Sequence, residues 1–311
     1  MKNYNAKLMA MVGQSASIFG MALMELASLR DDIIVLAADQ STPAGLDKFK
    51  ATYPERFYNV GIAEQNMIGI AAGLADEGYL PVCVAQSCFL TMRAFEQIRQ
   101  FAGYMRRPMI LVGLFSGFTT TFMGCTHYSQ EDMALMRMIP DMQVLAPADG
   151  LEAVKCFEAA VETRKPSFIR LWGKTGSPII YESDYKYEIG KSVLLREGKD
   201  IQLVATGSMV VQALEVAKLL SEIGIESDVV DMHTIKPIDT SLLDGNKSIF
   251  AIEEHSVIGG LGDALRESGF RIHKIGIEDR FSNVGDYNYL LEQHSLTKET
   301  IKEIILKTQI R

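Results

Sequence analysis

The sequence predicts a doubly wound, parallel α/β protein in two units, and three observations carry that reading. Short apolar runs of strand length alternate with longer segments of helical period, the pattern of βα units feeding a parallel sheet. Apolar runs deliver polar loops, as at Asp39-Gln-Ser-Thr-Pro43, and open α/β sheets hold ligands in the loops at their strand C-termini. From 176 to 199 the periodicity breaks and Tyr, Gly, Pro, Ser and charges take over. That break separates a first unit, 1–180, from a smaller second α/β unit, 181–311.

In chain order, a helix is expected over 14–29, then a buried strand, Ile33-Ile-Val-Leu-Ala-Ala38. Phe57-Tyr-Asn-Val60 leads into a helix that starts near Glu64. Strands follow at 80–86, 109–114, 142–146 and 167–171, with helices at 91–105, 129–139 and 150–163 between them. In the second unit the strands are 201–205, 227–231, 248–253 and 271–275, and the helices 209–223, 261–268 and 298–307.

The helix after Val60 carries a carboxylate where packing alone would not put one. Positions 64, 67, 68, 71 and 75 share a face, and Met67, Ile68, Ala71 and Ala75 make it apolar. Glu64 heads that stripe. It either turns to solvent, favoured by the helix dipole, or is buried with a partner, because an unpaired buried carboxylate is costly. Gly69 and Gly73 each cost the helix roughly 0.5–1 kcal/mol relative to alanine, which points to close contact with another backbone.

Composition narrows the classes. At 311 residues, 48% hydrophobic and 23% charged, the chain is long enough for two cored domains. A net charge of -8 recommends neither nucleic acid nor an anionic membrane surface as partner. With no 18-residue apolar run and no signal-peptide core, a cytoplasmic location is expected. Cys83, Cys88, Cys125 and Cys156 lack CxxC spacing and imply neither zinc nor disulfides.

Gly61-Ile-Ala-Glu-Gln-Asn-Met67 is read together with Ala38-Asp39, Arg93-Ala-Phe-Glu-Gln-Ile-Arg99, Thr126-His127, Glu131-Asp-Met-Ala-Leu-Met-Arg137 and Pro147-Ala-Asp149. The set resembles the C-terminal half of a transketolase. Asp231-Met-His-Thr-Ile-Lys-Pro-Ile-Asp239 and Glu253-Glu-His255 through Gly259-Gly-Leu-Gly262 resemble that family's last domain. The resemblance runs in order from about residue 12 to about 295. It implies a pyrimidine-binding domain of the thiamine diphosphate-binding fold over 1–180 and a transketolase C-terminal domain over 181–311. The implied cofactors are thiamine diphosphate and Mg²⁺. In the family the diphosphate and metal are held by the other half, marked by Gly-Asp-Gly, and no Gly-Asp-Gly occurs here. An N-terminal transketolase-like partner subunit is therefore implied, in an α2β2 heterotetramer, with the single chain inactive.

By that resemblance Glu64 hydrogen-bonds N1′ of the aminopyrimidine and favours the imino tautomer, whose 4′ nitrogen removes the proton from thiazolium C2. Phe89 packs on the pyrimidine ring, Ile62 is a further cofactor contact, and Asp39 lies at the cofactor and subunit interface. His127 contacts substrate and counts with Glu64 as catalytic. His233 and His255 fall outside the matched chemistry and read as structural.

The pocket departs from the family. Where the family has an acid that reads a donor hydroxyl, Thr119-Thr-Thr-Phe-Met-Gly124 places Met123. A phosphate-contacting histidine falls at Phe115, and two arginines fall near Ala16 and Gly173, leaving Lys174 as the nearest cation. One lysine does not replace bidentate arginines on a phosphate. With Phe115, Phe118, Phe122 and Met123 the mouth is expected to be more apolar, and the substrate something other than a simple sugar phosphate. A 2-oxo acid dehydrogenase β subunit, a deoxyxylulose phosphate synthase-like enzyme and a non-catalytic scaffold are the competing readings.

Overall fold

A computed structural model describes Val12, residues 16–173 and residues 178–309. The expected helix start at 14 and Lys174 lie outside the described residues, and of Ala16 only the backbone is described. The first half reads α1 (Ala16–Leu29), β1 (Ile33–Ala37), α2 (Asp47–Thr52), β2 (Phe57–Asn59), α3 (Glu64–Asp76) and β3 (Leu80–Gln86). It continues with α4 (Phe95–Ile98), β4 (Ile110–Leu114), α5 (Asp132–Arg137), β5 (Gln143–Leu145), α6 (Gly150–Thr163) and β6 (Ser167–Arg170). The second half has β7 (Val193–Arg196), β8 (Ile201–Ala205), α7 (Met209–Ser221), β9 (Ser227–Asp231), β10 (Thr234–Lys236) and β11 (Ser248–Ser256). It closes with α8 (Leu261–Glu267), β12 (Ile272–Ile277), α9 (Tyr287–Gln293) and α10 (Lys298–Gln309).

Strands β1, β3, β4, β5 and β6 are buried along their whole length, which is why they read as continuous apolar runs. The first sheet is ordered β10-β5-β6-β4-β3-β1-β2 and is parallel except for β10, which pairs antiparallel to β5 with Thr234 opposite Leu145. The second sheet, β12-β11-β8-β9-β7, is parallel except for β7. β10 thus ties the second half into the first sheet. One apolar core continues across the junction, joining Met67, Ile68 and Met133 to Val230, Met232, Ile249 and Leu261.

Several elements differ from the sequence expectation, among them α2, β10 and α9, which it lacked. The helix expected over 91–105 is a π-helical turn (Phe89–Arg93), the short α4 and a second π-helical turn (Arg99–Tyr104). Each π-helical turn spans only 5 or 6 residues, too few for its altered period to stand out in the sequence. The helix expected over 129–139 shrinks to Asp132–Arg137, because Ser129 is drawn into a β-bridge with Gly117. Within the stretch read as boundary, Val193–Arg196 forms an edge strand.

Candidate active site

Four strand ends build the site. β1 runs into Asp39, β2 into Gly61 and Glu64, β3 into Ser87 and Phe89, and β4 into the loop that ends at His127. Since these strands are parallel, their C-terminal ends lie on one edge of the sheet. The chain leaves β2 on one side of β1 and re-enters as β3 on the other, so a crevice opens at that switch in strand order.

Asn59 fastens the first two loops, its Oδ1 accepting from the backbone N–H of Asp39 at 3.1 Å and of Gly61 at 3.0 Å. Asp39 holds a left-handed backbone, φ 56°, which aspartate tolerates better than most residues, and is exposed. Ile62, on the loop between β2 and α3, is 75% exposed.

Glu64 opens α3, and Ala63 before it supplies no side-chain cap. The carboxylate turns inward and is 3% exposed, above a stripe of Met67, Ile68, Ala71 and Ala72, all buried. Burying Met67 and Ile68 stabilises by about 1.5–3 kcal/mol each, which fixes the helix face and so the direction of Glu64. Its partner comes from this same chain: Arg93 Nη1 donates to both carboxylate oxygens, at 3.0 and 3.1 Å. The guanidinium carbon also sits 4.1 Å from the centroid of the Phe89 ring. His127 meets Phe89 edge-on with centroids 5.2 Å apart, and its Nδ1 lies 2.9 Å from Thr126 Oγ1. Glu64, Arg93, Phe89 and His127 therefore form one contiguous set.

The substrate-side residues are spread more widely. Met123 and Phe122 are 56% and 71% exposed on the turn Thr121–Met123, which the Tyr128 hydroxyl fastens by donating to the Thr121 carbonyl. Phe115 is half-buried in the first-domain core. Its ring lies against Gly173, where a Cβ would come within 2.8 Å of Phe115 Cδ1. Phe118 corrects the expectation of a mouth residue: it is fully buried between Tyr128 and His294.

Behind Phe89 lies a support that sequence reasoning missed. Ser87 Oγ donates to Asp132 Oδ2 at 2.8 Å, and Arg170 Nε donates to both Asp132 oxygens. Burial acts to raise the Asp132 carboxyl, but the charge of Arg170, with His255 and the Ser87 bond, outweighs it and holds it below the usual range. His255, packed against the same group, is pushed down by burial to about 4. Arg93 was equally unforeseen as the partner of Glu64, although a cation four residues after Phe89 in a helical stretch is a signal for a stacked pair.

Fold and crevice together define the class: an open α/β protein with a crevice at the strand-order switch and a second α/β domain sealed against it. Residues 14–173 match the family model of the transketolase pyrimidine binding domain, and 190–301 that of the transketolase C-terminal domain. The chain belongs to the transketolase family, which is thiamine diphosphate-dependent. A putative transketolase C-terminal section of Methanocaldococcus jannaschii is 37% identical over 298 residues, covering 93% of this chain and 94% of that one. A 6-deoxy-6-sulfo-D-fructose transketolase subunit of Clostridium sp. strain MSTE9 is 36% identical, covering 90% and 89%. One of the subunits of an apulose-4-phosphate transketolase from Phocaeicola vulgatus is 31% identical, covering 92% and 94%. Among solved structures, a split-gene transketolase described as an inactive β4 tetramer superposes with TM-score 0.84 at 37% identity, covering 95% of this chain and 97% of that one.

Proposed function

We propose that this chain is the C-terminal subunit of a two-chain, thiamine diphosphate-dependent transferase that moves a two-carbon ketol unit from a ketose-type donor to a carbonyl acceptor. The observation that carries the reading is the pairing of an inward-turned carboxylate, Glu64, with an aromatic face, Phe89, at the crevice of a parallel sheet. That pair fits an aminopyrimidine: Glu64 would hold a ring nitrogen and Phe89 would cover the ring, with Ile62 and Asp39 on the adjoining loops. When bound, thiamine diphosphate supplies the electron sink for breaking a bond beside a carbonyl. The contribution of Glu64 is a charge-assisted hydrogen bond made stronger by burial. That of His127 is a polar contact at the substrate end, with its ring direction set by Phe89 and Thr126.

Among the described residues no cluster of His, Cys, Asp and Glu is arranged to hold a metal ion. The reading therefore places Mg²⁺ and the diphosphate mainly on an N-terminal transketolase-like partner subunit, in an α2β2 heterotetramer. Relatives named as a C-terminal section and as transketolase subunits support a split enzyme, and the related β4 tetramer described as inactive supports dependence on a partner. The domains are taken as 1–180 and 181–311. Among the described residues no helix is long and apolar enough to cross a membrane; with the charge balance, this supports a cytoplasmic enzyme acting on small molecules.

The substrate is proposed not to be a simple sugar phosphate, because Phe115 and Met123 stand where the family has a histidine and an acid, and Lys174 is the nearest cation left. Relatives named for a sulfo-fructose and for apulose 4-phosphate support substrate variety among such subunits. The test is co-purification with the product of a neighbouring gene for an N-terminal half, then assay of ketose donors with thiamine diphosphate and Mg²⁺. Glu64→Gln should lower the rate of the pair by roughly 10²–10⁴-fold. Failure to find any partner sinks the split-enzyme reading; ordinary efficiency with xylulose 5-phosphate and ribose 5-phosphate sinks the substrate reading alone. A synthase of the deoxyxylulose phosphate type is the second reading, favoured by the short Ser87–Arg93 segment, and release of CO₂ from an oxo acid donor would identify it.

A further inference from the structure

The space between Glu64 and Phe89 already has an occupant in this chain. A guanidinium is flat, cationic and a donor of hydrogen bonds, and that of Arg93 presents an N–H to both Glu64 oxygens while its plane centre lies 4.1 Å from the Phe89 ring. Any flat ring that bonds Glu64 through its edge and stacks on the same face of Phe89 must take that place. Two groups cannot share it.

The hold on Arg93 is local and one-sided. Nη1 alone of its nitrogens makes a described hydrogen bond, the side chain is 46% exposed, and the residue closes the π-helical turn Phe89–Arg93 beside exposed Met92. Its long stem can therefore swing toward solvent without unpacking the core. Glu64 cannot follow, because it is buried at the head of α3. A departing Arg93 leaves a buried carboxylate that needs a new donor at once. An aminopyrimidine supplies one once its ring nitrogen, made basic by the amino group, takes up a proton from solvent, and it brings a π-face for Phe89, whereas a ring without a protonatable nitrogen offers only half of the exchange.

We propose that Arg93 is the resident occupant of the pyrimidine slot, a positioning residue that keeps Glu64 paired until an amino-bearing ring displaces it. The proposal rests on the reading of Glu64 and Phe89 as ring contacts. It makes ring binding an exchange of donors on Glu64, with a proton taken from solvent onto the ring nitrogen, so the slot selects for rings whose nitrogen can carry that proton and discriminates against other flat rings.

The test uses the full chain and thiamine itself, which carries the aminopyrimidine without the diphosphate that the partner would hold. Dissociation constants are measured by titration calorimetry for wild type, Arg93→Ala, Arg93→Met and the double variant Glu64→Gln/Arg93→Ala, with thermal denaturation confirming that each is folded. Arg93→Met keeps an apolar stem over Phe89 should alanine disturb the turn. Loss of a charge-assisted bond of ordinary strength should make thiamine bind at least about tenfold tighter to Arg93→Ala than to wild type. The double variant should lose that gain, and in ¹⁵N-labelled wild type the Arg93 side-chain N–H resonance should move toward its solvent-exposed position as thiamine is added. Equal binding by wild type and Arg93→Ala, weaker binding by Arg93→Ala, or no binding by either overturns the exchange. The functional reading stands or falls separately, on whether Glu64→Gln inactivates the reconstituted pair.

Discussion

Arg170 Nε donates to both oxygens of Asp132, at 2.9 and 3.0 Å, in a place where both side chains are essentially shut off from solvent. The same Asp132 accepts from Ser87, at the start of the segment that carries Phe89, and Arg170 Nη2 donates to the carbonyl of Glu254 in the second domain at 2.9 Å. The pair thus joins the crevice to the domain junction. Removing one member leaves the other charge buried and unmatched, so Arg170→Met should destabilise the protein by about 3–5 kcal/mol. Asp132→Asn combined with Arg170→Met should cost clearly less than Arg170→Met alone. Denaturant titrations of the three variants decide it; strictly additive losses would show that the two side chains do not act as a pair.

A second buried cluster sets a pH dependence. Glu152 in α6 and Asp231 at the end of β9 are both fully buried, and they accept from Tyr185 at 2.5 Å and Tyr181 at 2.8 Å. Burial raises Glu152 well above its ordinary value, with the charge of Asp231 adding, and burial raises Asp231 to about 7. A carboxyl whose folded pKa exceeds its unfolded value contributes its full stability below the unfolded pKa, near 4, and that share is lost as pH rises through about 7. Asp231→Asn removes one such group while keeping its size. Relative to wild type, the Tm of the variant should therefore rise between pH 5 and pH 8. A difference that stays flat over that range contradicts the assignment.

How much of this could be read in the sequence follows from where each feature gets its information. Strands buried on both faces advertise themselves as apolar runs, and Glu64 stood out because its neighbours on the helix face are apolar. What Glu64 bonds did not show, since Arg93 reaches it from 29 residues away through the packing of α3 against the π-helical turn. Phe118 looked like its neighbours Phe115 and Phe122, and only Tyr128 and His294, the latter from the second domain, make it a core residue. β10 escaped because three residues, one of them Lys236, carry no period; they become a strand by pairing with β5, and Lys236 Nζ is then satisfied by the carbonyls of Arg137 and Ile139.

Met123 offers a direct test of the substrate reading. It is exposed on the turn Thr121–Met123, whose backbone is fastened through Tyr128, so a polar side chain is tolerated there without loss of packing. Met123→Asp places an acceptor where the family has one. In the reconstituted pair, one added hydrogen bond to a donor hydroxyl should raise kcat/KM for a polyhydroxy ketose by about tenfold. An unchanged or lower value would mean that Met123 does not face the donor.

Gly69 and Gly73 stand one turn apart on the outer face of α3, and a Cβ built on either meets nothing within 4 Å in this chain. Neither has a positive φ, so nothing inside the chain demands glycine, and alanine should stabilise the isolated helix by roughly 0.5–1 kcal/mol per site. On the split-enzyme proposal the close contact expected from the sequence falls to a second chain, and exposed Ile62 and Ile70 supply apolar area for it. Gly69→Ala and Gly73→Ala should each raise the Tm of the isolated chain while weakening its association with the N-terminal partner subunit, as followed by sedimentation velocity. Stabilisation with unimpaired assembly would remove this face from the interface and leave both glycines without a packing role.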